Sequence, residues 1–307
     1  MPTWTTRPSR PRSDVGQQAV SAEAAGRTAA ERFRRERHLG VQPLGDLVAV
    51  IEQSTGIDVA VLDVGPDEHG LTMRDPERDA VIIGVARTQN PMRQRSTLAH
   101  ELCHVLFGDW TDTSTTAWGD RTPQEIRADA FARHLLVPLD GLREFLQPRE
   151  TVAQAELSAV VQRFLVSPAI AAIALHQAEY IDEATKRAWM SLSAPHMAAR
   201  YGWTDQYQAL QTASDRRRAP QRLLARAIRG YAEAVLPAQT IATLRGVPLE
   251  IAEAALREAE VIPVERPVPW TDPTDLPDVR VDLSALDDAL NAQDDDDACT
   301  LPEKDTQ

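Results

Sequence analysis

The stretch STLAHELCHVLFGD, Ser96 to Asp109, decides how this chain is read. It holds two of the seven histidines, four residues apart, with Glu101 directly after the first. Leu98, Ala99, Leu102, Val105 and Leu106 surround them, and the pattern predicts a helix from about Met92 to Phe107. On an α-helix, positions i and i+4 lie about 40° apart around the axis and one turn along. His100 and His104 therefore share a face, and both imidazoles can reach one ion about 2.0–2.1 Å from each nitrogen. Glu101 lies about 60–100° around from either histidine. It can touch a water beside that ion without ligating the ion, which is where a general base belongs. The apolar flanks imply that most of the helix circumference is buried. A buried His-Glu-His cluster with nothing to bind leaves polar groups that are costly to desolvate.

A catalytic zinc needs a third protein ligand and an open fourth position. Beyond the polar loop GDWTDTSTTAWGDRTP, a second helix is expected over Gln124–Val137, with Pro123 just before it and Pro138 as its stop. It opens on E-I-R-A-D, in which Glu125 and Asp129 stand at i and i+4 and share a face. Glu125 can supply the third ligand. Asp129 can accept the outer N–H of a ligating histidine and hold its ring. His134 competes on the same helix, but it sits about 180° around from Glu125. It is expected to be a packing or surface residue. Two histidines and a glutamate suit zinc, and they also accept Mn2+ or another divalent ion.

AHELCHVLFGD followed by EIRADAFARHLLVP resembles the ImmA/IrrE-type metallopeptidases. These carry H-E-x-x-H and then E-x-x-A-[N/D]-x-F-A-x-x-L-L-x-P. Glu125, Ala128, Asp129, Phe131, Ala132, Leu135, Leu136 and Pro138 fit the second motif position by position. The resemblance covers about residues 25–180. It implies zinc bound by His100, His104 and Glu125, with Glu101 as base. It also implies a narrow substrate range, typically a helix-turn-helix repressor or antitoxin cut once to switch on phage, mobile-element or stress genes. Cys103 departs from the small residue usual at its position. It is small enough to fit and lies off the histidine face, so it is not read as a ligand. Tyr180, Tyr201, His176 and His196 are candidates for oxyanion stabilisation by residue type alone.

Working outward, IDVAVLDV, GLTMRD and AVIIGVAR read as three strands separated by turn residues, forming a small antiparallel sheet. Helices are expected over about 21–37 and through LGDLVAVIEQSTG. After Pro138 the chain reads as all helical. The expected architecture is α+β. A zincin-like domain over 21–145 follows a disordered stretch at 1–20. A helical domain spans 146–262, and a Pro-rich linker with an acidic disordered tail fills 263–307.

RFLVSPAIAAIALHQAEYI and IATLRGVPLEIAEAAL resemble helix-turn-helix units. The second helix of the first offers only His176 and Gln177 to a base edge. That of the second offers Glu250, Glu253 and Glu258 against Arg257. Such helices repel phosphate, so both units read as packing or partner-docking modules rather than DNA readers. The run Arg216–Arg218 reads as a solvated loop, and His38 and His69 as solvated surface.

The net charge of −13 is mostly terminal, because residues 271–307 hold twelve acids against Arg280 and Lys304. Residues 1–40 hold eight arginines against four acids, spread along a helix-like segment rather than gathered into a nucleic-acid-binding face. No apolar run approaches the ~18–20 residues of a membrane span, and the N-terminal stretch lacks the apolar core of a secretory signal. With two cysteines, 43% apolar residues and no disulfide framework, a cytoplasmic protein is expected.

The function that follows is zinc-dependent endoproteolysis of a specific protein. One alternative is a catalytically silent regulator that binds such a repressor through its helical domain. Another is a DNA-binding regulator using residues 220–260, against which its glutamates argue.

Overall fold

The computed structural model describes residues 12–65, 70–77, 80–110, 122–149 and 151–265, together with 272, 274, 283 and 284. Two compact units divide the chain at Val264. The second holds the acidic tail, most of which, with its expected disorder, lies outside the described residues.

The first helix, α1, runs Arg12–Glu36 and so begins earlier than the expected start near residue 21. Helix α2, Leu47–Thr55, is capped by the Asp46 side chain on the Ala49 N–H and stopped by Gly56 in the left-handed region. Three strands follow: β1 (Asp58–Leu62), β2 (Gly70–Asp75) and β3 (Ala80–Ala86). The site helices come next, α3 (Pro91–Phe107) and α4 (Pro123–Leu136). Nine more complete the described elements: α5 (Leu139–Leu146), α6 (Gln154–Phe164), α7 (Pro168–Gln177), α8 (Glu183–Met190), α9 (Ala194–Tyr201), α10 (Thr204–Ser214), α11 (Gln221–Ala232), α12 (Ala238–Arg245) and α13 (Leu249–Glu258). The protein is thus mixed α+β, mostly helical, with one small sheet.

That sheet corrects the expectation of an antiparallel one. Its strand order is β1-β3-β2, with β1 parallel to β3 and β2 antiparallel to it. The physical reason lies in the strands themselves. The run AVIIGVA is apolar throughout, so β3 suits the centre, paired on both edges. β1 and β2 flank it, and the turn residues between them do not close a hairpin. β2 is left as an edge with Leu71 and Met73 exposed.

One hydrophobic cluster runs from Ala29 to Tyr207 and joins the sheet, α3 and α4 to the helices through α10. A smaller one gathers Ala227, Ala238, Ile241 and Leu256 around α11–α13. Helix α1 lies close along α4: a Cβ at Gly26 would stand 2.3 Å from the Arg127 carbonyl oxygen, so only glycine permits this approach.

Two buried arginines pin the site helices to their surroundings. Arg95 of α3 donates to the carbonyls of Leu44, Gly45 and Leu165 at 2.6, 2.5 and 3.2 Å. Arg34 of α1 donates to the Leu135 carbonyl at the end of α4 at 2.8 Å and to Gly40 at 2.7 Å. Carbonyl oxygens take all three nitrogens of Arg95, and Nε and Nη1 of Arg34, offsetting much of the desolvation cost, while Nη2 of Arg34 is buried without a partner.

Helices form in both stretches, α6 with α7 and α12 with α13. Helices α6 and α7 meet at 109° across the break at Leu165–Ser167. Ala171, Ala172, Ala174 and Leu175 of α7 are buried, which leaves little of that helix to enter a DNA groove. The run Arg216–Arg218 is more than a loop, because Arg218 pairs with Val61 of β1 as an isolated antiparallel bridge. No single helix among the described residues is long and apolar enough to cross a membrane.

Candidate metal centre

Helix α3 starts cleanly because Asn90 accepts the Arg93 N–H and Pro91 sits in the first turn. Gly108, at φ 66°, ends it. Met92, Arg95, Leu98, Ala99, Leu102 and Cys103 face the core. His100 and His104 are thereby left half-buried on the flank turned to α4. Helix α4 starts just as cleanly, from Thr122 and Pro123, and presents Glu125 in its first turn.

The helices bring three side chains to one point. Nε2 of His100 lies 3.0 Å from Nε2 of His104. Glu125 reaches both, with Oε2 3.1 Å from His100 Nε2 and Oε1 3.5 Å from His104 Nε2. Four ligands held tetrahedrally at 2.0–2.1 Å from one ion stand about 3.3 Å apart. The observed separations bracket that value. All three ligand atoms lie within 4.8 Å of one another.

The outer nitrogens explain why the inner ones are available. Nδ1 of His100 lies 3.1 Å from Asp129 Oδ1, where sequence spacing had placed that carboxylate. Nδ1 of His104 lies 3.2 Å from Asp109 Oδ2. With each carboxylate accepting an Nδ1 proton, neutral rings would turn both Nε2 lone pairs toward each other across 3.0 Å. Two facing lone pairs repel. A proton or a divalent cation between them relieves this, and the donor set of two imidazoles and one carboxylate fits a zinc-type ion.

Electrostatics agree with a site short of positive charge. Burial lowers the affinity of His100 for a proton, but the Asp129 and Glu125 carboxylates outweigh it and push its pKa up to about 9. The hydrogen bond to His100 holds Glu125 below the usual carboxylate range.

Glu101 sits on the side of α3 nearer the sheet. Its Oε2 accepts the Thr72 hydroxyl of β2 at 2.8 Å. A Cβ at Gly70 would fall 2.5 Å from Glu101 Oε1, so the edge strand lies directly against this carboxylate.

Other sequence candidates fall elsewhere. His134 is 3% exposed and packs toward α1, with Nε2 4.0 Å from Glu23. Cys103 is fully buried, and burial pushes its thiol pKa up to about 12. It therefore packs as a neutral thiol. Tyr180 donates to the Gln147 carbonyl at 3.3 Å and His176 pairs with Glu183 at 3.5 Å. Tyr201 lies beneath Arg200, and His196 and His38 are exposed. His69 lies outside the described residues.

Sequence reasoning missed Asp109, Thr72, Gly70 and Arg127. Asp109 had a local signal, an acid five residues past the second histidine and just after the helix stop. Arg127 stacks on the Phe107 ring at 3.9 Å and pairs with Asp109, so it is the third tier behind His104. Thr72 and Gly70 had no signal, because they depend on how β2 docks.

Two half-buried histidines and a glutamate, with carboxylates behind the rings and a further glutamate beside them, form a group compatible with a divalent metal ion. Residues 52–176 match the family model of a peptidase family, described as the IrrE N-terminal-like domain. This segment carries both motifs, and the match is to the same ImmA/IrrE family that they resemble. Comparison with curated proteins gave no significant match. The matched span contains every residue of the metal cluster and ends within α7. It leaves out α1, even though that helix packs along α4.

Proposed function

We propose that this chain is a zinc-dependent endopeptidase, zincin-like in layout, that cleaves a specific protein. The observation that carries the reading is the convergence of His100 Nε2, His104 Nε2 and Glu125 within 4.8 Å, with Glu101 one residue along the same helix. His100, His104 and Glu125 hold the ion, and Mn2+ fits the same donors. When bound, the cation supplies Lewis acidity to a carbonyl and to water.

The protein's own groups do the rest. Asp129 and Asp109 keep both rings in the Nδ1–H tautomer, so Nε2 stays a donor to the metal. Glu101 takes a proton from the attacking water and passes it to the leaving amine. Thr72 holds one oxygen of that carboxylate, and the other takes no hydrogen bond among the described residues. Positions 70 and 72 of β2 lie against Glu101, and the outer edge of that strand has no partner strand among the described residues. An extended substrate segment can add to it, with main-chain hydrogen bonds giving register.

The substrate we infer is a helix-turn-helix repressor or antitoxin in the cytoplasm. The family resemblance supports this, as does the acidic character of the second helix of the 220–260 unit, which suits a basic protein better than DNA.

Labelling of new protein N-termini in cells carrying the wild type or Glu101→Gln tests the reading. A terminus inside a DNA-binding protein, present with wild type and lost with a variant that still binds zinc, supports it. Identical termini in both overturn it and favour a silent regulator.

A further inference from the structure

A cavity of about 530 Å³ lies apart from the metal ligands, where α2, β1, the first half of α3 and α10 meet the strap at 214–218. Its volume lies within the ~300–1,000 Å³ usual for small-molecule sites. The inner wall is apolar and buried: Leu47 and Val48 of α2, Val61 of β1 and Leu98 of α3, with half-buried Leu210 of α10 beside them.

The charge around this apolar wall is one-sided. Arg95, Arg216, Arg217 and Arg218 line the cavity, and among the described residues Asp46 is the single carboxylate that does so. Asp46 is committed to Arg218, at 2.7 Å. Arg95 donates to three carbonyls and feels the charge of the same Asp46. Neighbouring Asp215 faces Arg87 at 3.9 Å. Arg216 and Arg217 are exposed and take no hydrogen bond or ion pair among the described residues. Arg217 is set in place by packing over Gly246, where a Cβ would meet its Cδ at 3.3 Å.

The strap itself is anchored. Val61 and Arg218 exchange two backbone hydrogen bonds of 2.8 and 3.0 Å, and Gln94 of α3 donates to the Ser214 carbonyl at 2.9 Å. The arginines are thus fixed at a place in the fold rather than carried on a free loop.

We propose that this cavity binds a small amphipathic anion, with an apolar chain or ring against Leu47, Val48, Leu98 and Leu210 and a carboxylate held by Arg216 and Arg217. Arginine is suited to the head group because its planar fork meets a carboxylate through two donors. A neutral apolar ligand leaves the arginines unused, and a cation is repelled by them. The site touches α3, the helix that carries His100 and Glu101, without using any residue of the metal cluster. Its test is therefore independent of the peptidase reading.

Isothermal calorimetry with decanoate on the full-length protein reads the site directly, with decan-1-ol and decyltrimethylammonium as matched controls. Saturable one-to-one binding of decanoate is expected, with the cation at least about tenfold weaker. The double variant Arg216→Glu/Arg217→Glu should weaken decanoate about tenfold or more, and Leu210→Trp, which fills the cavity, should abolish binding. Both variants should keep wild-type zinc affinity, which shows that the domain remains folded. Equal affinity for decanoate and decyltrimethylammonium, or unchanged decanoate binding in the charge-reversed variant, overturns the proposal. So does the absence of saturable decanoate binding to the wild type.

Discussion

The carboxylate of Asp109 stands 3.2 Å from Nδ1 of His104 and mirrors Asp129 on His100 at 3.1 Å. The two rings are thus oriented by acids from different places, one from the loop after α3 and one from α4. Asp109 is itself held by Arg127, so α4 reaches both histidines. Replacing Asp109 with Asn keeps the shape but removes the charge that fixes the tautomer. Zinc affinity should fall about 10–100-fold, the usual range for such partners. Competition with a coloured chelator measures it, and unchanged affinity would remove Asp109 from the site.

On the proposed reading, Glu125→Ala removes a ligand rather than a support. Tight binding near one equivalent in the wild type should be sharply weakened, by more than Asp109→Asn weakens it. If Glu125→Ala binds zinc as tightly as the wild type, the third ligand lies elsewhere.

Gly70 and Thr72 should affect Glu101 without touching the metal. A Cβ at residue 70 would stand 2.5 Å from Glu101 Oε1, and Thr72→Val deletes the 2.8 Å hydrogen bond to Oε2. Both variants should bind zinc normally while kcat on a cleaved substrate drops, by up to the ~10²–10⁴-fold that general acid–base catalysis contributes. A fall in zinc affinity instead would mean that β2 supports the ligands rather than the base.

His134 should make the fold acid-sensitive. Burial, then the charges of Arg133 and Arg27, lower its pKa to about 4. Glu23 is 4.0 Å away but already accepts Arg133 and Gln177, so it does not reverse this. In the unfolded chain the ring titrates near ~6.5. Between those values the unfolded state binds more protons, so this contribution is present above about pH 6.5 and lost as pH falls toward 4. The loss is of order 2–3 kcal/mol. His100 is shifted the other way and cannot mimic it. Urea unfolding of metal-free protein from pH 7 to 4 should show a steeper loss for wild type than for His134→Leu, and parallel curves would refute the assignment.

Gly26→Ala should destabilise the domain by about 1–3 kcal/mol, because the added methyl meets the Arg127 carbonyl backbone at 2.3 Å. The melting temperature should fall by several degrees. No change would mean that α1 can leave α4 without cost.

Much of the centre was legible in the chain because helices are local. Apolar spacing, Asn90, Pro91 and Gly108 bound α3, and Thr122 with Pro123 begins α4. The 3.6-residue period then places His100 with His104, and Glu125 with Asp129, whatever surrounds them. Strand composition likewise marked three strands but not their order, since pairing partners lie far apart in sequence. Only the folded chain decided that β3 sits between β1 and β2, and hence that Gly70 and Thr72 of the edge strand meet Glu101. The same holds for Arg34 and Arg95, whose carbonyl partners come from distant segments. Local geometry thus settled which side chains of each helix share a face. Long-range packing settled what holds those atoms still, because orientation by a second residue requires two distant parts of the chain to meet.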